Sequence, residues 1–550
     1  MPKVVVIGID SATFDVVEPL VEQGKLPVLS EFMKCGAWGR LQSTIPPVTP
    51  PAWTSLVTGK NPGKHGIFDF YGYTTNGYER PIINSQAIKA KTLWNILSEG
   101  GKSVGIINVP LTYPPEKVNG FLIPGMQYAF DVNKGFTYPK DLLSEIEERF
   151  GKYEVIYGDE RSLYTNELDH FILKWKEITR KRQKIILYLI EKYNIDFFMP
   201  VFYSIDPIQH HFWKFYDESH PQYDEKLAEK YKNVIPEFYQ IIDTYIGQIL
   251  DKLDKNTTVF IVSDHGAGSH LGGFYVNKWL MKEKLLKVKK RYQPLLWVRW
   301  PHMFFKVLKK FGYPAIAWTI PLFLYNQLKD RVDPREGLKL SEIINWKRTK
   351  VYSGNYTEQG IYINLKGREV HGTVEQSKYK QLRDYLIEKL LKIVDPKTGE
   401  ILVDTVLKKE EVYKGPYLQF APDLFIIMKD GKILIQKDMH NGIFHYNPHI
   451  GGTHRVDGIF LARGNLVNGP LKLCNLKIVD LAPTILYLMG IEIPEDMDGR
   501  VLKEIIKDDF LKQHSVNYGV SSRIEGRQGT YGEEDAEKIK ENLRNLGYYN

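Results

Sequence analysis

The chain has 550 residues, a net charge of +8, 43% hydrophobic residues and 25% charged residues. That balance excludes general disorder, and so small a charge excess on so long a chain leaves no footprint for nucleic acid. The two cysteines, Cys35 and Cys474, lie far apart with no CxxC partner. This excludes a disulfide scaffold and a cysteine-built zinc finger, and predicts two small buried hydrophobes.

At roughly 150 residues per domain, the length predicts about three to four units. The opening MPKVVVIGID carries too short an apolar run for a secretory signal. The apolar stretch Ala315–Tyr325 is broken by Pro321 and falls short of the ~20 residues a bilayer span needs. A cytoplasmic protein is expected.

Apolar runs that end in polar residues recur at Lys3–Ile9, Ser103–Val109, Phe197–Tyr203, Thr258–Val262 and Gly458–Ala462. Such runs suit strands buried on both faces of a mainly parallel sheet. Helical patterns separate them, including Lys181–Lys192 and Ile235–Leu253, the latter with a one-face apolar stripe from Ile235 to Leu253. The fold class predicted is α/β, a mainly parallel sheet sandwiched by helices, with an inserted cap subdomain. Residues 1–270 form the first part of the core, 271–437 the insert and 438–510 the second part of the core. The remainder, 511–550, is a polar tail with a short helix at Glu533–Leu546. Within the insert, Gln376–Ile393 reads as a helix, as does Ile478–Met489 in the returning core. The 281–330 stretch mixes basic residues with Trp and Phe. It suits contact with an anionic membrane surface or a lipidic substrate, or more simply a cap whose aromatics bury one another.

The strand ends carry the chemistry. Asp10 follows the first run, Asp206 the third, and Asp264 with His265 the fourth, and ligands in open α/β sheets bind beyond the carboxyl ends of strands. In DPIQH, Asp206 and His210 are four apart, so a helical turn sets both on one face, where they can grip a cation. Capping plus a surface histidine is the plainer alternative, and His211 points elsewhere if His210 points in. SDHGAG pairs a carboxylate with an imidazole beside glycine, a donor mixture that zinc accepts. GGTHRVDG adds His454, with Asp457 as a candidate acceptor for its ring. Three aspartates and three histidines are too many for one ion and about right for two. Thr49, in PPVTPPAWTSLVTG, precedes two prolines suited to a first helical turn and is expected as the N-cap. A helix N-terminus also welcomes an anion. His65 is expected to shape its loop, His270 to face solvent, and Lys60 and Lys64 to be solvated.

These segments together resemble the alkaline phosphatase superfamily, on the branch of the type I phosphodiesterases and nucleotide pyrophosphatases. The matching residues are GID at 8–10, TPPAWTSLVTGKNPGKHGI at 49–67, DPIQH at 206–210, SDHG at 263–266, GTH at 452–454 and DLAPTILYLMGIEIPEDMDGRVL at 480–502. The resemblance implies two divalent metal ions, zinc foremost, with manganese or magnesium as alternatives. Asp206, His210 and His454 would hold one. Asp10, Asp264 and His265, with the Thr49 oxygen, would hold the other. It further implies that Thr49 attacks phosphorus to give a phosphothreonine, which water then hydrolyses. Two cations suit that chemistry, since they acidify a hydroxyl and balance charge on the attacking and leaving oxygens.

The sequence departs from the family pattern in two places. Nucleotide pyrophosphatases of the family place an Asn shortly after HGI, where this chain has Phe68, Asp69 and Phe70; and Pro50 and Pro51 remove two backbone N–H donors. Charge stabilisation is then expected from the cations and from donors outside these motifs. Trp53 stands where sulfatases carry arginine, which argues against a sulfatase. The function implied is cleavage of phosphodiester or nucleotide pyrophosphate bonds in a small phosphorylated substrate, with no nucleic-acid partner. Alternatives are a phosphomonoesterase, a phosphomutase or a lipid-phosphate hydrolase. A silent binding protein is disfavoured because all six ligands and the hydroxyl are present.

Overall fold

The computed structural model describes residues 3–74, 77–126, 135–155, 168–290, 340–354, 359–437, 439, 442–446, 448, 450–524 and 529–545. Most of the basic, aromatic 281–330 stretch, and all of Ala315–Tyr325, lie outside these residues. Among the described residues no helix is long and apolar enough to cross a membrane.

An 8-stranded sheet organises the larger part of the chain. Its strands are β1 (Val4–Ile9), β2 (Ala37–Gln42), β3 (Val104–Ile107), β4 (Gly120–Ile123), β5 (Phe197–Phe202), β6 (Thr258–Val262), β16 (Asp457–Arg463) and β17 (Leu471–Lys477). They lie in the order β17-β2-β16-β6-β1-β5-β3-β4. β1 lies between β5 and β6, parallel to both, with Gly8 opposite Val201 on one side and Val262 on the other. Every residue of β1, β5 and β6 is buried, as continuous apolar runs covered by helices on both faces require. β16 runs antiparallel to both β6 and β2. The sheet is therefore parallel except at β16, the first of its strands after the insert.

Helices cover this sheet. Val234–Leu250 buries Ile235, Phe238, Tyr239, Ile242, Ile246 and Ile249, close to the predicted stripe. One polar residue, Asp243, is buried in that stripe. Its carboxylate accepts the backbone N–H groups of Val28 and Leu29 at 3.1 and 2.8 Å. The Pro27–Cys35 helix has no side-chain cap of its own, so a distant residue satisfies its orphan donors.

A second apolar core is built from residues between Phe274 and Phe444. It packs around a 4-stranded antiparallel sheet in the order β11-β12-β10-β9, from β9 (Val351–Tyr352), β10 (Gly360–Ile363), β11 (Val403–Lys408) and β12 (Leu424–Met428). Fully buried Asp423 ties this unit together. It takes two bonds of 2.7 Å from Arg368, one of 3.0 Å from Lys409 and one of 2.7 Å from the Tyr379 hydroxyl. These cations outweigh the cost of burial and hold its carboxyl far below the usual range.

The C-terminal region returns to the main core. Ile539 and Leu543 of the Glu533–Asn545 helix are buried in it. Lys60, expected in solvent, is instead 1% exposed and bonded to Asp496 at 2.5 Å, which also receives the N–H of Ser522. Lys64 pairs with Asp498 at 2.6 Å. Cys35 and Cys474 are both exposed free thiols, contrary to the expectation of burial. Cys35 ends a helix and Cys474 lies on an edge strand, and each turns outward.

Candidate metal centre

Three strands deliver carboxylates to one end of the sheet. β1 ends at Ile9 and is followed by Asp10, and β6 ends at Val262 and is followed by Ser263, Asp264 and His265. β5 leads into the Ile205–Tyr216 helix, whose first turn carries Asp206 and whose next turn presents His210 on the same face. His454 comes from β15 (Gly452–Arg455), paired antiparallel with β7 (Gly266–Ser269) so that His454 lies opposite Ala267. Glycine permits that docking, because a Cβ at Gly452 would overlap the Gln209 carbonyl oxygen. Thr49 opens the Thr49–Thr58 helix as its first helical residue. The cap position belongs to Val48, in extended conformation, rather than to Thr49 as expected. With Pro50 and Pro51 following, the helix starts one residue early and turns the Thr49 hydroxyl inward.

The six predicted ligands and the hydroxyl converge. His210 Nε2 and His454 Nε2 each lie 3.4 Å from Asp206 Oδ1, and 3.1 Å from one another. His265 Nε2 lies 3.3 Å from Asp264 Oδ2, 3.7 Å from Asp10 Oδ1 and 3.3 Å from the Thr49 hydroxyl. Two sets have their ligand atoms mutually within 4.8 Å: Asp206, His210 and His454, and Asp10, Asp206 and His265. The Asp206 carboxylate belongs to both, taking in the second set the place expected of Asp264, which adjoins that set through His265. The rings of His265 and His454 stack at 3.8 Å, joining the two sets.

All three imidazoles are oriented alike. His210 Nδ1 faces the Gly452 carbonyl at 2.9 Å, His454 Nδ1 the Pro47 carbonyl at 2.9 Å, and His265 Nδ1 the Gly266 carbonyl at 3.1 Å. A carbonyl only accepts, so each Nδ1 carries a proton and each Nε2 faces the cluster, with a free lone pair wherever the ring is neutral. Against the effect of burial, Asp206 draws His210 toward its protonated form. Backbone carbonyls are a usual outer partner of metal-ligating histidines. Asp457 does not fill that role for His454. It is exposed, and Pro47 takes the proton instead.

Burial and charge favour a cation here. Asp10, Asp264 and His265 are 0% exposed and Asp206 is 1% exposed. Neither oxygen of Asp10, nor Oδ2 of Asp264, accepts a hydrogen bond of normal geometry. Burial, reinforced by the charges of Asp264 and Asp206, holds the Asp10 carboxyl well above the usual carboxylate range. Burial and the Asp206 charge do the same to Asp264. Burial also pushes His265 and His454 down, toward the neutral form a metal requires. Buried carboxylates crowded beside imidazole nitrogens form a mixed oxygen and nitrogen donor set that divalent cations fit.

The neighbouring candidates have other tasks. His65 is buried between the Ser55 hydroxyl at 2.9 Å and the Ile67 N–H at 3.2 Å, bracing the loop after the Thr49 helix. His211 meets the Phe171 ring edge-on at 5.1 Å. His270, expected in solvent, is 1% exposed and bonds the Gly272 carbonyl at 3.1 Å. Phe68, Asp69 and Phe70 are all buried. Sequence reasoning missed Gln209, Ser11 and Tyr239, which link the two ligand sets. The one local signal was an amide set between two ligands in DPIQH.

The chain matches the type I phosphodiesterase / nucleotide pyrophosphatase family model over residues 4–457. One segment of 74 residues is 36% identical to a 2,3-bisphosphoglycerate-independent phosphoglycerate mutase of Ruegeria sp. (strain TM1040), covering 13% of this chain and 15% of that protein. Among solved structures, phosphonoacetate hydrolase from Sinorhizobium meliloti 1021, in complex with phosphonoformate, is similar with a TM-score of 0.52 and 14% identity, over 88% of this chain and 94% of that one. Human ectonucleotide pyrophosphatase / phosphodiesterase 5 aligns over 92% of this chain and 100% of that one, at TM-score 0.49 and 14% identity. The hydrolase likeness supports a shared α/β fold. On the family match across most of its length, the chain belongs to the type I phosphodiesterase / nucleotide pyrophosphatase family, a family of hydrolases.

Proposed function

We propose that this chain is a metal-dependent phosphohydrolase that cleaves phosphodiester or nucleotide pyrophosphate bonds, with Thr49 as nucleophile. One observation carries the reading. The only hydroxyl among the ligating groups, that of buried Thr49, lies 3.3 Å from His265 Nε2 at the rim of the carboxylate cluster.

Asp206, His210 and His454 would hold one ion, and Asp10, Asp264 and His265 with Thr49 the other. Divalent cations, zinc foremost given the mixed oxygen and nitrogen donors and manganese or magnesium otherwise, would supply the positive charge that acidifies the hydroxyl and stabilises the transferring phosphoryl group. The Thr49 oxygen forms a bond to phosphorus as the bond from phosphorus to the leaving oxygen breaks, and the proton lost from the hydroxyl is balanced by the one gained by the departing alcohol or phosphate. Water then attacks the phosphothreonine, and the bond from phosphorus to Thr49 breaks to restore the residue. The two imidazoles bonded to Pro47 and Gly452 keep their lone pairs in place throughout.

The substrate proposed is a small phosphorylated molecule, not a nucleic acid. A phosphomonoesterase or phosphomutase is the second reading, favoured by the 74-residue likeness to a phosphoglycerate mutase and by Phe68, Asp69 and Phe70 after HGI, where nucleotide pyrophosphatases of the family place an Asn. The basic and aromatic composition of 281–330 supports a lipid phosphate or a membrane-surface contact as the next substrate class to try. Exposed free thiols at Cys35 and Cys474 support a reducing, cytoplasmic setting.

The test pairs bis-p-nitrophenyl phosphate with p-nitrophenyl phosphate on metal-stripped protein refilled with Zn²⁺, Mn²⁺ or Mg²⁺. Metal-dependent cleavage favouring the diester is expected. A monoester preference moves the assignment to the second reading, and turnover independent of metal overturns both.

A further inference from the structure

The two ligand sets are joined by a buried chain of hydrogen bonds that touches neither the hydroxyl nor a metal-ligating nitrogen. Ser11, directly after Asp10, has φ of 66°, the left-handed region that a residue with a side chain rarely adopts. In that conformation its N–H points to Asp264 Oδ1 at 3.3 Å, so one residue links the two carboxylates of the second set. The conformation is held from outside. Gln209 Nε2 donates to the Ser11 carbonyl at 2.7 Å and to the Ser11 hydroxyl oxygen at 3.2 Å.

The orientation of that amide is determined. The Ser11 carbonyl can only accept, so the NH₂ group faces it and Oε1 faces away. Oε1 then accepts the Tyr239 hydroxyl proton at 3.0 Å, and the Tyr239 oxygen accepts the Thr13 N–H at 3.0 Å. Ser11, Gln209 and Tyr239 are each at most 2% exposed, so water cannot stand in for a lost partner. Gln209 sits on the Ile205–Tyr216 helix between Asp206 and His210. The segment that supplies the first ligand set therefore also clamps the turn that supplies the second.

We infer that Gln209 is a positioning residue that couples the two metal-binding sets by holding Ser11 in its left-handed conformation. The inference rests on the ligand assignment proposed above. Its consequence is asymmetric. Removing the amide leaves Asp206, His210 and His454 on their own supports, while the Asp10–Ser11 turn relaxes and the Asp10/Asp264/His265 set loses its geometry.

The experiment measures Zn²⁺ binding by equilibrium dialysis and elemental analysis on the full, metal-stripped chain. Wild type is expected to bind two ions. Gln209→Met, similar in length but without the amide, should keep one ion at wild-type affinity and weaken the second by about 10- to 100-fold. Adding Ser11→Gly to that variant should restore most of the loss, since glycine adopts positive φ freely and needs no clamp. Tyr239→Phe, which keeps the ring in the core, should weaken the same ion in the same direction and provides the test if Gln209→Met does not fold. Wild-type binding of both ions by Gln209→Met and Tyr239→Phe, equal weakening of both ions, or no rescue by Ser11→Gly would each overturn the inference while leaving the ligand assignment intact. Fewer than two ions on wild type would overturn the assignment itself, and the coupling with it.

Discussion

His210 and His454 point their Nε2 atoms at each other across 3.1 Å, with each Nδ1 proton already committed to a backbone carbonyl. At that separation the two nitrogens need a proton or a cation between them, and Asp206, 3.4 Å from both, favours either positive charge. His454→Ala is therefore expected to lower bound metal from two ions to one and to abolish turnover. Elemental analysis after dialysis checks this, and an unchanged metal count would remove His454 from the site.

Thr49→Ala should separate chemistry from binding. The six remaining ligands are untouched, so metal content stays near two while turnover falls by about 10³-fold or more. Thr49→Ser, which keeps a hydroxyl, should retain part of the activity. Turnover near wild type in the alanine variant would exclude Thr49 as nucleophile.

Gly452→Ala tests how β15 reaches its place. The added Cβ would overlap the Gln209 carbonyl oxygen, a backbone atom that cannot swing aside. The strand should shift, at a cost of about 1–3 kcal/mol by analogy with overpacking. His454 should shift with it. A lowered melting temperature together with weakened binding of a single ion is expected in a Zn²⁺ titration.

Acid stability offers an independent check on the braces around the site. Burial pushes His65 and His270 down to about 3, so both stay neutral in the folded chain at pH 5. The unfolded chain protonates them below about 6.5. Stability should therefore be intact above pH 6.5 and fall as pH drops toward 3, by up to about 1.4 kcal/mol per pH unit for each histidine. His65→Gln, which does not titrate, should flatten that slope in urea unfolding between pH 6.5 and 5. A slope equal to wild type would mean His65 is protonated in the fold.

Arg368→Met should destabilise the second core by about 3–5 kcal/mol, because it strips two of the bonds that neutralise fully buried Asp423. Activity loss at a temperature where the variant is still folded would show that this core also serves the site.

Much of this architecture is legible in the chain itself. Lys3–Ile9 and Thr258–Val262 are continuous apolar runs because both their faces are covered, and the polar residues that end them fall at the sheet's carboxyl edge. DPIQH, SDHG and GTH carry their ligands at spacings that a helix turn, a strand end and a glycine-backed strand convert into convergence. What stayed hidden depends on partners far along the chain. No local pattern shows that Ser11 leans on Gln209, or that Asp243 caps a helix more than two hundred residues earlier. The antiparallel direction of β16 is likewise set by its neighbours, since GIFLA reads the same either way. Lys60 and His270 look like surface residues until the segments that bury them are in place.

The place of β16 has a consequence for biosynthesis. It lies between β2, made near the start of the chain, and β6, made near the middle, and β2 otherwise pairs only with the still later β17. Until residue 463 has left the ribosome, β2 has no neighbour in the sheet and β6 presents a bare edge, the kind of surface on which nascent chains aggregate. His454, just before β16, emerges in the same interval. Closure of the sheet thus waits on β16: the strand that seals it follows directly on the segment that brings His454 to the candidate metal centre.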